Sequence, residues 1–289
     1  MIEEIFIILA CVPLYVINSF CDKIISSKEK NRYNYFYNTV KFLICSICML
    51  PMLFLEKKSI FAAGSLFCGI CCGIMYAISK TVMLKGYERS SVAFMTLCHS
   101  SGMILPCIIG HFFWSEKLSA MSVLGVILAI LSIVLLKGGN GADKKFNFNG
   151  AIFGIIVFLT SAGVMIAQKL MGIYFSEQSI SAYNFYSFVV PFLIISCFVT
   201  PKKLAYEGKK NKLTVFVCAL GSAVSLCIIS FVMTSLSGRV PSVLLFPLFN
   251  GLGIIFVCIG SIFAFKEKLT AKKLTGLALG VIGLYLVNL

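Results

Sequence analysis

The sequence predicts an all-α integral membrane protein of ten transmembrane helices, arranged as two inverted five-helix repeats over residues 1–140 and 141–289. Three observations carry this. Of 289 residues, 59% are hydrophobic and only 12% charged, a balance far from that of soluble domains. The apolar residues form runs of membrane-spanning length separated by short basic loops. The second half repeats the first at a fixed offset. The formal charge of +14 is spread over those loops rather than gathered on one patch, so it reads as an orientation signal and not as a nucleic-acid surface.

The runs are taken in order. Residues 5–21 end at Asp22-Lys23 with no small-residue cleavage site, and Met1-Ile2-Glu3-Glu4 lacks a basic leader, so this helix is expected to stay in the mature protein. Residues 34–55 and 60–84 each contain one charge, Lys41 and Lys80. Residues 91–113 and 120–136 contain no Asp, Glu, Lys or Arg and close the first half. Residues 148–167, 180–200, 213–236, 240–265 and 274–289 repeat the arrangement. A helix of about 20 residues crosses the hydrocarbon core; the first, fifth and tenth runs are the shortest.

Shifting the chain by 151 residues superposes Ser91-Val92 on Ser242-Val243, Gly102 on Gly253, Cys107-Ile108 on Cys258-Ile259, Phe112 on Phe263 and Gly125 on Gly276. Across residues 91–136, 15 of 46 positions are identical to their partners. A fainter echo at a shift of 149 sets Phe36-Tyr37 and Val40 on Phe185-Tyr186 and Val189. Five helices per half is an odd number, so the halves insert in opposite senses, the inverted arrangement from which many carriers build alternating access.

The hairpins Trp114-Ser115-Glu116-Lys117-Leu118-Ser119 and Phe265-Lys266-Glu267-Lys268-Leu269-Thr270 each precede a glycine-containing helix. The chain resembles an EamA-type member of the drug/metabolite transporter superfamily, which has such an acidic-basic-Leu-Ser/Thr turn between the last two helices of each repeat. Lys41 falls where that family often has an arginine; lysine keeps the charge and loses the planar fork. The resemblance implies a ten-helix carrier with a central cavity between its halves and no particular substrate. Orientation is in conflict. Of 25 basic residues, 18 fall in odd-numbered loops, 5 in even-numbered loops and 2 within spans. The positive-inside rule then sets both termini outside, whereas the family usually has them inside. The dense Lys202, Lys203, Lys209, Lys210 and Lys212 loop favours the charge count.

Polar side chains at bilayer depth face a cavity or a neighbouring helix, which makes them the site candidates. All 11 Asp and Glu read as loop or helix-end residues, so no membrane-embedded carboxylate is expected to bind a cation. Lys41 and Lys80 are the basic residues within spans, and either balances a substrate anion or snorkels. His99 and Asn250 are repeat partners at matching positions; each lines the cavity or bonds another helix. Tyr37, Tyr76, Asn184 and Tyr186 complete the candidate substrate-binding set, with interfacial anchoring as the alternative for the tyrosines. Asn18 is similarly ambiguous, and Trp114 reads as a belt residue. Pro51, Pro106, Pro191 and Pro247 are expected kinks, and Gly69-x-x-x-Gly73, Gly150-x-x-x-Gly154 and Gly276-x-x-x-Gly280 permit close helix contact.

Cys45-x-x-Cys48 and Cys68-x-x-Cys71-Cys72 have metal-like spacing without a nearby histidine, so no metal and no cofactor are expected. No nucleophile–base pattern or phosphate loop appears, and catalysis is not expected. The reading is a multi-pass transporter of the cytoplasmic membrane for a small anionic or zwitterionic metabolite. Its partners are that substrate and the lipid bilayer, not nucleic acid, with monomer and homodimer both open. A carrier or flippase for a lipid-linked precursor, a carrier for a cationic amine, and a membrane scaffold are the alternatives.

Overall fold

A computed structural model describes residues 2–28, 33–89, 92–116, 119–137, 148–198, 209–265 and 271–287. Among these, the regular structure is helical: α1 (Ile2–Lys28), α2 (Tyr33–Glu56), α3 (Ala63–Arg89), α4 (Val92–Ser101), α5 (Ile104–Phe113), α6 (Ala120–Lys137), α7 (Phe148–Tyr174), α8 (Ile180–Ser196), α9 (Lys209–Ser237), α10 (Ser242–Phe265) and α11 (Ala271–Val287). Within α1, α2, α3, α7 and α9 lie five stretches long and apolar enough to cross a membrane; shorter apolar helices make up the rest.

Several helices outrun the apolar runs read from the sequence, and two of them matter for the charged sites. α1 continues past Asp22 to Lys28, and α7 past Ala167 to Tyr174. Neither extension contains a proline to stop the helix, so side chains expected in loops, Asp22 and Lys169, ride into the bundle. The fourth run is broken between α4 and α5 at Gly102-Met103. Pro106 has no N–H to give the Gly102 carbonyl four residues back; the Leu105 N–H reaches that carbonyl instead, at 3.3 Å. α10, with its proline at Pro247, runs unbroken.

Packing joins elements distant in sequence. α2 lies on α8 through Phe42, Cys45 and Met49 against Phe188 and Ile195. α3 packs on α7 and α8, α9 on α1 and α2, α1 on α10, α4 on α7, and α6 on α11. Close approach needs glycine at several crossings. A Cβ on Gly69 would meet the Tyr183 carbonyl at 2.8 Å, and one on Gly73 would meet Val190 at 2.7 Å, so the Gly69-x-x-x-Gly73 pair seats α3 on α8. Phe54, Phe67, Ile155, Leu193 and Val217 point outward and exposed, an apolar coat suited to lipid tails.

Carboxylates cap two helix starts at one end of the bundle. Ser179 Oγ accepts the Ala182 N–H at 2.9 Å and donates to Glu56 from α2. Glu116, after α5, accepts the Ser242 N–H at 2.7 Å at the start of α10. Both place negative charge where a helix dipole is positive. Of the two hairpins singled out in the sequence, residues 117–118 and 266–270 lie outside the described residues, as do residues 199–208 of the lysine-rich loop.

Candidate functional site: a two-lysine cluster around Asp22

Residues four apart share a helix face, and two such pairs, Asn18 and Asp22 on α1 and Tyr37 and Lys41 on α2, converge with Lys80 of α3. The Tyr37 hydroxyl donates to Asp22 Oδ1 at 2.6 Å. Lys41 Nζ lies 3.3 Å from the same oxygen and donates to Asn18 Oδ1 at 2.9 Å. Its ammonium also sits 5.7 Å from the Tyr37 ring centre. From α9, the Ser222 hydroxyl donates to Asn18 Oδ1 at 2.6 Å. Lys80 Nζ stands 3.9 Å from Asp22 Oδ2.

The expectation that no carboxylate reaches the spans is thereby corrected. Asp22 lies inside α1 and is counter-ion to both lysines; the apolar run stops one residue short of it, but the helix does not. The notion that Lys41 and Lys80 are the only basic residues within the spans is also corrected. Lys169 is buried on α7, paired with Glu116 at 2.7 Å.

The two lysines of the cluster are unequal. Lys41 is 1% exposed and held by two partners, whereas the Lys80 side chain is 20% exposed and the Asp22 side chain 39%. Two ammonium groups face one carboxylate, so the cluster keeps one positive charge in excess. A mobile anion meets Lys80 more readily than Lys41.

The remaining candidates lie apart or play packing parts. Tyr76 stacks with Phe42 and Phe188 at centroid distances of 6.0 and 6.3 Å, an aromatic wall from α2, α3 and α8. Asn184 is fully buried; its amide donates to the Ile180 carbonyl at 3.0 Å and it accepts from the Ser230 hydroxyl at 2.6 Å. Tyr186 donates to the Ile60 carbonyl at 3.4 Å, toward the other end of α8 from Ser196. Asn250, buried on α10, donates to the Phe246 carbonyl of its own helix at 2.9 Å. His99 is half-buried at the end of α4, where its carbonyl accepts the Ser161 hydroxyl at 2.8 Å. Asp22 and Ser222 are the members that sequence reasoning missed; the Asn18/Asp22 spacing opposite Tyr37/Lys41 was the available signal. Among the described residues, no group of three His, Cys, Asp or Glu could hold a metal ion.

A polar cluster set among apolar helices with lipid-suited outer faces fits a multi-pass membrane protein. Residues 1–137, just under half of the chain, match the EamA-like transporter family. The chain is similar to an uncharacterized transporter of Clostridium kluyveri, 23% identical over 270 residues that span 83% of this chain and 86% of that protein. An uncharacterized transporter of Bacillus subtilis is 27% identical over 103 residues, 36% of this chain and about a third (32%) of the relative's length. A crystal structure of 13% sequence identity superposes with a TM-score of 0.76, covering 98% of this chain and 96% of the other; at that identity it speaks for the fold alone.

Proposed function

We propose that the protein is a secondary carrier, acting by alternating access in the cytoplasmic membrane, for a small metabolite bearing a carboxylate or phosphate. The observation that carries this is the Asp22 cluster: two lysines share one carboxylate, and the more accessible one, Lys80, is within reach of a solute. In a low-dielectric setting the unbalanced charge favours an anion and disfavours a simple cation. The Phe42, Tyr76 and Phe188 rings supply an apolar wall for the rest of the solute.

The ten-span reading, with inverted halves at 1–140 and 141–289, is supported by the reciprocity of the packing. Exchanging the halves turns α3 on α7 into α9 on α1, α3 on α8 into α9 on α2, and α4 on α7 into α10 on α1, while α2 on α8 and α6 on α11 map onto themselves. The repeat partners Gly102 and Gly253 follow the same exchange. A Cβ on Gly102 would strike α7 at Ala162, and one on Gly253 would strike α1 at Tyr15. An inverted pair of halves offers two alternative closures around one site, the physical requirement for a carrier.

The test is a ligand-induced thermal shift screen of the purified protein over carboxylates, phosphate esters and amines. The proposal expects stabilisation by anionic or zwitterionic solutes, lost in Lys80→Met. Stabilisation by amines alone overturns it.

A further inference from the structure

A second charged centre lies at the other end of the bundle from the Asp22 cluster. Lys169 Nζ is 2.7 Å from Glu116 Oε1, with side chains 3% and 10% exposed, and it also donates to the Val240 carbonyl at 2.7 Å. The second Glu116 oxygen accepts the Ser242 N–H at 2.7 Å. Three segments therefore meet on one ion pair: the turn after α5, the end of α7 and the turn between α9 and α10. The chain tightens around it. The Ser237 hydroxyl donates to the Gln168 carbonyl at 2.7 Å, and a Cβ on Gly238 would collide with the Gly172 carbonyl, so α7 and the end of α9 touch backbone to backbone. Ser115, immediately before Glu116, has φ 52, a left-handed conformation rare for a residue with a side chain and tolerated where surrounding structure enforces it.

On one side of the pair is an open cavity of about 460 Å³, lined by Trp114, Glu116, Lys169, Tyr174, Arg239 and Pro241 among others. Cys107, which does not line it, is 5% exposed, and its thiol donates to the Ser242 carbonyl at 3.6 Å. Buried ion pairs add little to stability over apolar packing, yet separating one into a dry interior is costly. Here the neighbouring cavity can hydrate both groups once they part, so the contact has two tolerable arrangements, as a switching element needs.

We propose that Glu116 and Lys169 form the latch of a gate: paired, they hold this end of the carrier shut, and they separate when the end opens to pass solute. The proposal rests on the carrier reading, but its test needs no substrate. The purified full-length protein is treated with a membrane-impermeant maleimide in detergent, and native cysteines are followed by peptide mass spectrometry. Exposed Cys197 reports reagent activity and Cys72, 1% exposed among α3, α7 and α8, reports global loosening. Cys107 is expected to react slowly in the wild type and at least tenfold faster in Glu116→Gln and Lys169→Met, with Cys72 still protected. Glu116→Gln keeps an oxygen for the Ser242 N–H and replaces the oxygen that faces Lys169 and the Ser242 hydroxyl with a neutral amide, so its effect separates the ion pair from the backbone cap. Wild-type Cys107 rates in both variants overturn the latch, as does simultaneous exposure of Cys72, which marks a purely structural pair. A failed solute screen with accelerated Cys107 labelling faults the substrate class and leaves the gate intact.

Discussion

The Lys41 ammonium lies 3.3 Å from the Asp22 carboxylate while its side chain is only 1% exposed. Such a pair is asymmetric under mutation: removing Asp22, itself 39% exposed, leaves the buried Lys41 charge with Asn18 as its remaining partner, at a cost below that of breaking a fully buried pair. Asp22→Asn should lower the thermal unfolding temperature the most. Lys41→Met should cost less, because Asp22 keeps Tyr37 and Lys80. Lys80→Met, at a partly exposed and longer contact, should cost about 1 kcal/mol or less. Unfolding curves of the three variants in one detergent check the order; equal losses for Asp22→Asn and Lys80→Met would show that Lys41 does not depend on Asp22.

Two glycines should respond oppositely to alanine. At Gly102 a Cβ would meet Ser161, the Ala162 nitrogen at 2.9 Å and the Phe158 carbonyl at 3.0 Å, so Gly102→Ala must push the α4–α5 break off α7 and destabilise by about 1–3 kcal/mol. At Gly221 the nearest atom is Cys21 Sγ at 3.6 Å, and alanine in this α9 position should be neutral or stabilise by up to about 1 kcal/mol. Thermal unfolding of both variants is the check.

Topology follows from the charge count. Asp22 lies nearer the α1 end that leads into the basic odd-numbered loops, and Glu116–Lys169 lies at the opposite end, where the even-numbered turns meet. A cysteine placed at Ser115 should label from outside intact cells, and one placed within residues 202–212 should label only after permeabilisation. The reverse pattern would restore the usual family orientation and leave the packing argument untouched.

Much of the fold was legible because it rests on hydropathy, which lipid enforces residue by residue. The break between α4 and α5 was legible in Pro106, whose missing N–H is a local fact. The charged sites were not, for a shared reason. A hydropathy run ends where the first charge appears, but a helix ends only where its backbone is stopped. Asp22 and Lys169 sit one and two residues beyond their apolar runs, so both read as loop residues, although the helices continue and the charges find partners. Pairing depends on which distant helix lies opposite, as Glu116 does for Lys169, and one chain's periodicity does not contain that. Lys41 and Lys80 stood out because they interrupt apolar runs; their common counter-ion did not.

The most direct test of the central claim is uptake by proteoliposomes, using an anionic or zwitterionic solute that stabilises the wild-type protein in the thermal shift screen. The account predicts saturable uptake by the wild type and at least a tenfold loss in Lys80→Met, a variant whose thermal stability stays close to wild type. Methionine keeps the apolar stem and deletes only the charge. Undiminished uptake by Lys80→Met, or a transported solute that is a permanent cation, would contradict the claim that the excess positive charge around Asp22 selects the substrate.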